Sequence, residues 1–262
     1  MSFILCLETS SKNCSVAIAK NGQVYNVKEE LDDNYSHGQK LHVLIADLLL
    51  ESNLSIDEVD AFCFSEGPGS YTGLRIGAAA VKGFAFVLKK PIITVSTLES
   101  MAKGYIMSVY SEVKSELYKH NHFCSVLDSR QGEVYAAIYN SNYTPLLLPS
   151  PCEINNLTSV ILELLEKQKS NASDLENPYS IEIFGPGSYK LSDVFFTEHL
   201  DNDGEPFSDY IKFPDQKNIM PSAAYLCSFA QYKFTNNEFV DSAYFEPTYL
   251  KNFLPTRPKS SR

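Results

Sequence analysis

One glycine-rich segment, residues 67–77, has the residue types that could bind a phosphate group. It reads Gly-Pro-Gly-Ser-Tyr-Thr-Gly-Leu-Arg-Ile-Gly and follows a short apolar run, Ala61 to Phe64, that predicts a buried strand. Glycines before a helix N-terminus leave backbone N–H groups available to an anion. The segment lacks the Gly-Lys-Ser/Thr ending of a Walker A loop, and Thr72 replaces the third glycine of the dinucleotide-binding fingerprint. The pattern therefore favours a structural strand-to-helix turn over a nucleotide site.

Histidine spacing predicts no metal site. His37 and His42 are five residues apart, about 140° around a helix, so they do not share a face. His120 and His122 lie in a polar connector, and His199 stands alone. We also find no Ser-His-Asp or Cys-His spacing that indicates a nucleophile. These histidines are therefore expected on the surface or satisfied by hydrogen bonds.

Composition limits the class of protein. The 262 residues carry a net charge of −10, which makes the chain alone a poor binder of nucleic acid. Its six cysteines are scattered without a C-x-x-C pair, which is typical of buried free thiols in a reducing compartment. The first apolar run is short and ends at an acidic residue, unlike a signal peptide. A cytoplasmic protein of one domain or two modest lobes is expected.

The glycine-rich segment leads into a predicted helix that ends near Leu88, before two lysines and Pro91. Ser70 or Thr72 can cap its N-terminus. Its apolar run is shorter than the ~20 residues that span a bilayer, so no membrane contact is expected. A helix that is apolar on most sides is buried on more than one side. Either its own domain covers both sides, or a partner protein covers one of them.

Apolar periodicity and turn residues predict the other elements. Strands are expected at residues 3–7, 14–19, 23–27, 92–95, 124–128, 133–139 and 181–184. Helices are expected at residues 36–53, from Ser96, at 157–167 and at 221–234. Residues 105–120 are predicted to form a charged connector, and residues 169–180 and 201–210 to form loops.

Two features repeat with nearly the same offset. A strand, an acidic residue, a hydroxyl residue and a strand occur at Glu8 and again at Asp128, 120 positions later. Gly-Pro-Gly-Ser-Tyr occurs at residues 67–71 and again at 185–189, 118 positions later. The repeat predicts an α/β fold of two duplicated lobes, with mixed sheets and flanking helices, and with Glu8 and Asp128 at equivalent places facing a cleft. The expected units are residues 1–104, residues 105–217, and a closing helix with a basic tail at 218–262.

Several motifs together resemble the TsaB (YeaZ-type) family of the actin, Hsp70 and sugar-kinase superfamily. They are Leu7-Glu8-Thr9-Ser10, the glycine-rich segment, Val95-Ser96-Thr97-Leu98, Asp128-Ser129-Arg130-Gln131-Gly132-Glu133-Val134-Tyr135 and Pro247-Thr248-Tyr249-Leu250-Lys251-Asn252. The resemblance implies an actin-like, ribonuclease H-like fold. It also implies a partner subunit for a TsaD-like enzyme that forms N6-threonylcarbamoyladenosine at position 37 of ANN-decoding tRNAs.

The resemblance also implies what the chain lacks. Thr97 and Met101 stand where the TsaD-like sister has metal-binding histidines, which implies a non-catalytic subunit without metal. Glu8, Thr9 and Ser10 occupy the place of the superfamily's first phosphate loop. They are expected to form a hydrogen-bonded turn, or a vestigial nucleotide loop. No cofactor is firmly expected, although a nucleotide could bind between the lobes or at the complex interface.

The expected partners are the TsaD-like sister, a TsaE-like ATPase through the complex, tRNA indirectly, and a second copy of the chain when it is alone. The alternative is an enzyme, either a nucleotide-dependent phosphotransferase or a metalloprotease. The predicted partner interface consists of His37, Leu41, Gly69, Ser70, Tyr71, Thr72, Gly73, Arg75, Ile76, Gly77 and Lys82. Because Gly73 and Gly77 are one turn apart and permit close helix approach, Gly77→Glu is expected to abolish sister binding and leave the monomer folded.

Overall fold

Two five-stranded sheets with the same topology lie at the centre of the part of the chain that the structure describes. The structure is a computed structural model and describes residues 1–31, 37–110, 121–171, 179–198, 210–214 and 219–250. The first sheet has the order β3-β2-β1-β4-β5, with β1 Phe3–Glu8, β2 Asn13–Lys20, β3 Gln23–Leu31, β4 Ala61–Gly67 and β5 Ile92–Ser96. The second has the order β10-β9-β6-β7-β8, with β6 His122–Asp128, β7 Glu133–Asn140, β8 Pro145–Glu153, β9 Ile181–Phe184 and β10 Ile211–Lys212.

The duplicated two-lobed fold is confirmed by this topology. In each lobe three strands form an antiparallel meander, and two further strands run parallel to the first. Glu8 ends β1 and Asp128 ends β6, which are the central strands of their sheets. The two Gly-Pro-Gly-Ser-Tyr segments likewise follow the equivalent strands β4 and β9. Glu8 and Asp128 therefore occupy equivalent places, as predicted.

Helices cover both faces of both sheets. They are α1 His37–Glu51, α2 Tyr71–Leu88, α3 Thr97–Tyr110, α4 Ile154–Asn171, α5 Tyr189–Glu198 and α6 Ala223–Thr235, and a short 3-10 turn spans Ile56–Glu58. Helices α1 and α2 pack on the outer face of the first sheet, and α4 and α5 on that of the second. Between the sheets, α6 packs on the first sheet and α3 on the second, and these two helices contact each other. Helix α3 therefore follows the last strand of the first sheet but covers the second sheet. Helix α6 follows the last strand of the second sheet but covers the first.

The longest apolar helix, α2, has local signals at both ends. The Ser70 side chain accepts a hydrogen bond from the Gly73 N–H, and Lys89 ends the helix in a left-handed conformation at φ 53°. By length and composition alone α2 could cross a membrane. Its buried side, however, contributes Leu74 and Val81 to the core of the first lobe. A helix that packs in a protein core can have the same length and composition.

Four elements were missed from the sequence, namely β8, β10, α5 and the 3-10 turn, and some expectations lie outside the described residues. Strand β8 contains three prolines, which are tolerated because it is an edge strand, and α5 has only ten residues. The predicted connector begins with the last turn of α3, and its residues 111–120 are not described. Of the loops predicted at 169–180 and 201–210, residues 172–178 and 201–209 are also outside the described residues, and residues 169–171 belong to α4 instead. The boundary expected after residue 104 falls inside α3. The division of the chain into three units stays a prediction.

Candidate functional site

A cleft of about 660 Å³ lies between the two lobes, beside the turns that follow β1 and β6. Ser10, Lys12 and Ser70 line it from the first lobe, and Ser129, Arg130 and Tyr189 line it from the second. The lining therefore combines hydroxyl groups with one basic side chain from each lobe, and the Asp128 carboxylate lies beside them. This arrangement has the chemistry to receive a small anionic group.

The turn after β1 is held by hydrogen bonds from both sides. The Ser10 N–H donates to Glu8 Oε1 at 2.6 Å, and the Thr9 hydroxyl donates to the Gly73 carbonyl at 2.8 Å. The Ser70 N–H donates to the Ser10 carbonyl at 2.6 Å. Glu8 is fully buried, and burial raises the pKa of its carboxyl group above the ordinary value. The predicted hydrogen-bonded turn is thus present, and nucleotide binding by it stays a prediction.

Glu8→Gln is expected to stabilise the protein at neutral pH. Because the folded-state pKa of Glu8 is raised, its contribution is fully present below the ordinary pKa of 4.5 and is lost as pH rises through the folded pKa. Glutamine keeps the acceptor for the Ser10 N–H and has no charge to desolvate. Urea unfolding between pH 4 and 8 should show a flatter pH dependence than wild type. The exposed Glu163→Gln should behave like wild type, and an equal pH slope in Glu8→Gln would contradict the assignment.

The turn after β6 closes around one lysine. Lys190, on α5, donates to the carbonyls of Ser129, Arg130 and Glu133 at 3.2, 2.9 and 3.0 Å. Its ammonium also pairs with the Asp128 carboxylate at 2.5 Å. Four oxygen atoms from one turn therefore converge on a single cation. Lys190 fixes the conformation of this wall of the cleft.

Lys190→Met is expected to loosen the turn after β6. Methionine keeps most of the aliphatic stem but removes the Lys190 donor from three carbonyls that are at least partly open to water, which costs about 0.5–1.5 kcal/mol of unfolding free energy. Hydrogen exchange should increase at residues 129–133, while the first lobe stays protected. Lys167→Met, at an exposed position of α4, serves as the control. Unchanged exchange in the turn would show that Lys190 does not hold it.

The outward face of α1 and α2 exposes large apolar side chains, beside the polar His42 and Asp47 of α1. On α1, Val43 is 57% and Leu50 is 77% exposed, and on α2 Phe86 is 82% and Val87 is 75% exposed. The small residues Ala46, Ala79 and Gly83 are exposed on the same two helices. Positions 43, 46 and 50, and likewise 79, 83 and 86, are three or four residues apart and so share a helix face. We call these seven residues the outer helix face.

Gly73 and Gly77 do not lie on this face, so their predicted contact with a partner is wrong. A Cβ atom at Gly73 would lie 2.0 Å from the Thr9 carbonyl oxygen. One at Gly77 would lie 2.5 Å from both the Phe64 ring and the Thr9 hydroxyl. Both glycines therefore bring α2 close to the chain's own sheet.

His37 and Leu41 are also interior residues, which corrects their assignment to the interface. His37 is 1% exposed, and its Nε2 lies 2.7 Å from the Ser11 carbonyl oxygen. Leu41 is fully buried in the core of the first lobe. The side of α1 that they occupy faces the sheet.

The other predicted interface residues are at least partly exposed. Gly69 and Ser70 line the cleft. Thr72 is exposed at the start of α2, whereas Ile76 and Lys82 are half-buried. Their contact with a partner stays a prediction.

Tyr71 and Arg75 form a surface cluster with a residue from the far end of the described chain. The Arg75 guanidinium lies 4.2 Å from the centre of the Tyr71 ring, and its Nε donates to the Tyr249 hydroxyl at 3.3 Å. The Tyr71 and Tyr249 rings are 5.0 Å apart. Sequence spacing could not predict this cluster, since Arg75 and Tyr249 are 174 residues apart.

Thr97 and Met101 occupy core positions on α3. The Thr97 and Ser65 hydroxyls lie 2.6 Å apart, and Met101 packs in the inner core of the second lobe. Among the described residues, no group of three or more His, Cys, Asp or Glu side chains could hold a metal ion. We predict that the purified protein holds no stoichiometric iron or zinc. Elemental analysis that finds one tightly held ion per chain would contradict this.

Comparison with known proteins identifies the family of this chain. A family model described as TsaD, tRNA N6-adenosine threonylcarbamoyltransferase, matches residues 32–147. The tRNA threonylcarbamoyladenosine biosynthesis protein TsaB of Haemophilus influenzae is 25% identical over 95% of this chain and 93% of its own. TsaB of Buchnera aphidicola subsp. Acyrthosiphon pisum is 30% identical over 63% of this chain and 70% of its own. The chain belongs to the TsaB family.

A solved structure agrees with membership of the TsaB family. YeaZ from Pseudomonas aeruginosa is 26% identical in sequence and superposes with a TM-score of 0.66. The match covers 95% of this chain and 100% of the YeaZ chain. The superposition supports the two-lobed fold described above. The sequence resemblance to the TsaB (YeaZ-type) family is thereby confirmed.

Proposed function

We propose that the chain takes part in forming N6-threonylcarbamoyladenosine in tRNA, as a non-catalytic subunit that binds a TsaD-like threonylcarbamoyltransferase. Its curated relatives are named as threonylcarbamoyladenosine biosynthesis proteins. Core residues stand where the resemblance places the sister's metal ligands, which supports a role without catalysis. In the proposed assembly a TsaE-like ATPase joins through the complex, and tRNA contacts are mostly on the other subunits.

The outer helix face is the observation that carries this proposal. Two adjacent helices expose several large apolar side chains, and such a surface is typical of a protein contact. The TsaD model matches residues 32–147, a range that contains both α1 and α2. A TsaD-like sister therefore has counterparts of these helices, and the two pairs can pack as a helical bundle. The same face would pair two copies of this chain when the sister is absent.

Reconstitution tests the proposal. The chain and the TsaD-like subunit from the same source should form a complex by analytical ultracentrifugation. Formation of threonylcarbamoyladenosine in tRNA should require both proteins. Activity of the sister that does not depend on this chain, or failure of the two proteins to associate, would overturn the proposed role.

A nucleotide site in the cleft is a second candidate, favoured by the volume of the cleft and by Lys12 and Arg130 in its walls. Isothermal titration of the isolated chain with ATP tests binding. Nucleotide turnover by the isolated chain would favour the alternative of a phosphotransferase. Binding without turnover would fit a nucleotide that stabilises one arrangement of the lobes.

A further inference from the structure

The last described segment of the chain runs back along α2. The Val240 N–H donates to the Ile92 carbonyl at 3.0 Å, just beyond the C-terminus of the helix. The Thr248 N–H donates to the Glu66 carbonyl at 2.8 Å, just before the N-terminus of the helix. We call residues 240–250 the strap. The strap therefore extends from one end of α2 to the other.

Aromatic rings of the strap hold the two cations of α2. The Arg75 guanidinium lies 4.2 Å from the centre of the Tyr71 ring and 6.0 Å from that of Tyr249, and its Nε donates to the Tyr249 hydroxyl at 3.3 Å. The Lys82 ammonium lies 5.5 Å from the centre of the Phe245 ring. A cation is attracted to the face of an aromatic ring. These contacts fix the position of both charges beside the strap.

The chain does not neutralise either cation with a carboxylate of its own. Among the described residues, no carboxylate oxygen lies within ion-pairing distance of Arg75 or Lys82. The hydrogen bond to the Tyr249 hydroxyl raises the pKa of Arg75, with a smaller contribution from the exposed Glu246 on the strap. Both side chains therefore carry their full positive charge at neutral pH and can each accept an acidic partner from outside the described chain.

Both cations border the outer helix face. Arg75 is four residues before Ala79, and Lys82 is four residues before Phe86, so each shares a side of α2 with a member of that face. Arg75 is exposed and Lys82 is half-buried. Charges at the rim of an apolar contact contribute mainly to the choice of partner. The two cations are therefore placed to select what docks on the outer helix face.

We propose that Arg75 and Lys82 bind carboxylate groups of the TsaD-like subunit and thereby select it over a second copy of this chain. The inference rests on the proposed function, in which the outer helix face contacts that subunit. Within the described chain only the Nε of Arg75 has a hydrogen-bond partner, so its two terminal nitrogens can take a carboxylate in a bidentate pair. Because the rings of Tyr71 and Tyr249 already order this side chain, little rotamer entropy is lost on binding.

A second copy of the chain offers fewer carboxylates than this pairing requires. The acidic residues of α1 are Asp47 and Glu51, and α2 has none. Glu51 is paired with Lys28 at 2.7 Å, which leaves Asp47. Each copy would thus bring two cations and one such carboxylate to the contact, or four cations against two carboxylates in the pair. This excess of positive charge disfavours self-pairing through the outer helix face.

Charge-neutral variants test the proposal by affinity and by salt dependence. The test variant is Arg75→Gln, Lys82→Gln. The control variant, Lys20→Gln, Lys212→Gln, removes two charges away from α2, and Lys20 is a close match because it also lies over aromatic rings. Binding of the TsaD-like subunit is measured by isothermal titration without RNA at about 50 and about 300 mM KCl, over which screening of exposed charges increases. A circular dichroism melt of each variant checks the fold.

We expect the test variant to bind the TsaD-like subunit about tenfold more weakly than wild type at the lower salt concentration. The difference should shrink at the higher concentration, because salt screens the ion pairs of wild type. The control variant should bind like wild type at both concentrations. Equal affinities of wild type and the test variant would overturn the proposal. A loss of the same size at both salt concentrations would show that charge is not what the partner recognises.

Tyr249 is a positioning residue in this proposal, and a double-mutant cycle tests that role. Tyr249→Leu removes the ring and the hydroxyl that hold Arg75. It should weaken binding of the TsaD-like subunit about threefold when Arg75 is present and should have no effect in the Arg75→Gln background. A purely structural role of Tyr249 would give the same loss in both backgrounds, and that result would overturn the role of the strap.

Two further measurements test the other occupants of this surface. If the test variant loses self-association in analytical ultracentrifugation but keeps its affinity for the TsaD-like subunit, a second copy is the occupant and the proposal is wrong. If tRNA binding to the complex falls while the subunits associate normally, the cations bind phosphates and the proposal is equally wrong. Failure of the wild-type proteins to associate would overturn the proposed function together with this inference. Normal association of the test variant overturns this inference alone.

Discussion

Gly83→Glu is expected to abolish binding of the TsaD-like subunit while the chain keeps its fold. Gly83 lies on the outer helix face, and a Cβ atom there would meet nothing within 4 Å. Replacing a glycine within a helix also removes a propensity penalty of about 1 kcal/mol, so the melting temperature should hold or rise. In the complex the carboxylate would be buried without a counter-charge beside Ala79 and Phe86. Such a buried charge costs several kcal/mol, which corresponds to at least a hundredfold increase in Kd.

Isothermal titration with the TsaD-like subunit measures the expected loss of binding. A circular dichroism melt measures whether the chain keeps its fold. Asn142→Glu, in the exposed turn between β7 and β8, adds the same charge to the second lobe and should bind like wild type. Formation of threonylcarbamoyladenosine should fail with Gly83→Glu and proceed with Asn142→Glu. Wild-type affinity in Gly83→Glu would mean that the partner docks on another surface.

The duplicated fold could be predicted because its signals are local and repeated. Each lobe carries an acidic residue at the end of its central strand and a Gly-Pro-Gly-Ser-Tyr turn after the next parallel strand. The offsets of 120 and 118 residues are nearly equal because both features occupy equivalent places in two sheets of the same topology. Strand β8 gave no such signal, because Pro145, Pro149 and Pro151 read as loop residues. Their position on a sheet edge, which permits proline, is a property of the assembled lobe.

The orientation of α2 could not be predicted in the same way. Spacing shows that Gly73 and Gly77 share a face of the helix, but it does not show whether that face meets the sheet or a partner. Thr9 and Phe64, which lie on other elements, decide this by occupying the space beside both glycines. The outer helix face was missed for the same reason, since Gly83 and Phe86 look like ordinary members of an apolar helix.

Gly77→Glu is therefore expected to prevent stable folding. Even the first side-chain atom would lie 2.5 Å from the Phe64 ring and from the Thr9 hydroxyl, closer than real Cβ contacts. Overpacking of this kind costs about 1–3 kcal/mol, and the buried carboxylate adds several more. The total is comparable to the 5–15 kcal/mol that stabilises a typical domain. The variant should be largely insoluble, or should lack a cooperative unfolding transition in urea.

Two control variants show whether the effect depends on the position and on the size of the new side chain. They are Gly77→Ala and Gly83→Glu. Alanine at Gly77 adds a single methyl group, so part of the overpacking cost is offset by the better helix propensity of alanine, and a net loss of about 1 kcal/mol is expected. Gly83→Glu introduces the same residue as Gly77→Glu into the same helix, less than two turns away, and should fold. A cooperative transition in Gly77→Glu at the wild-type urea midpoint would show that this side of α2 does not face the sheet. In that case the original expectation of a partner contact at Gly77 would be restored.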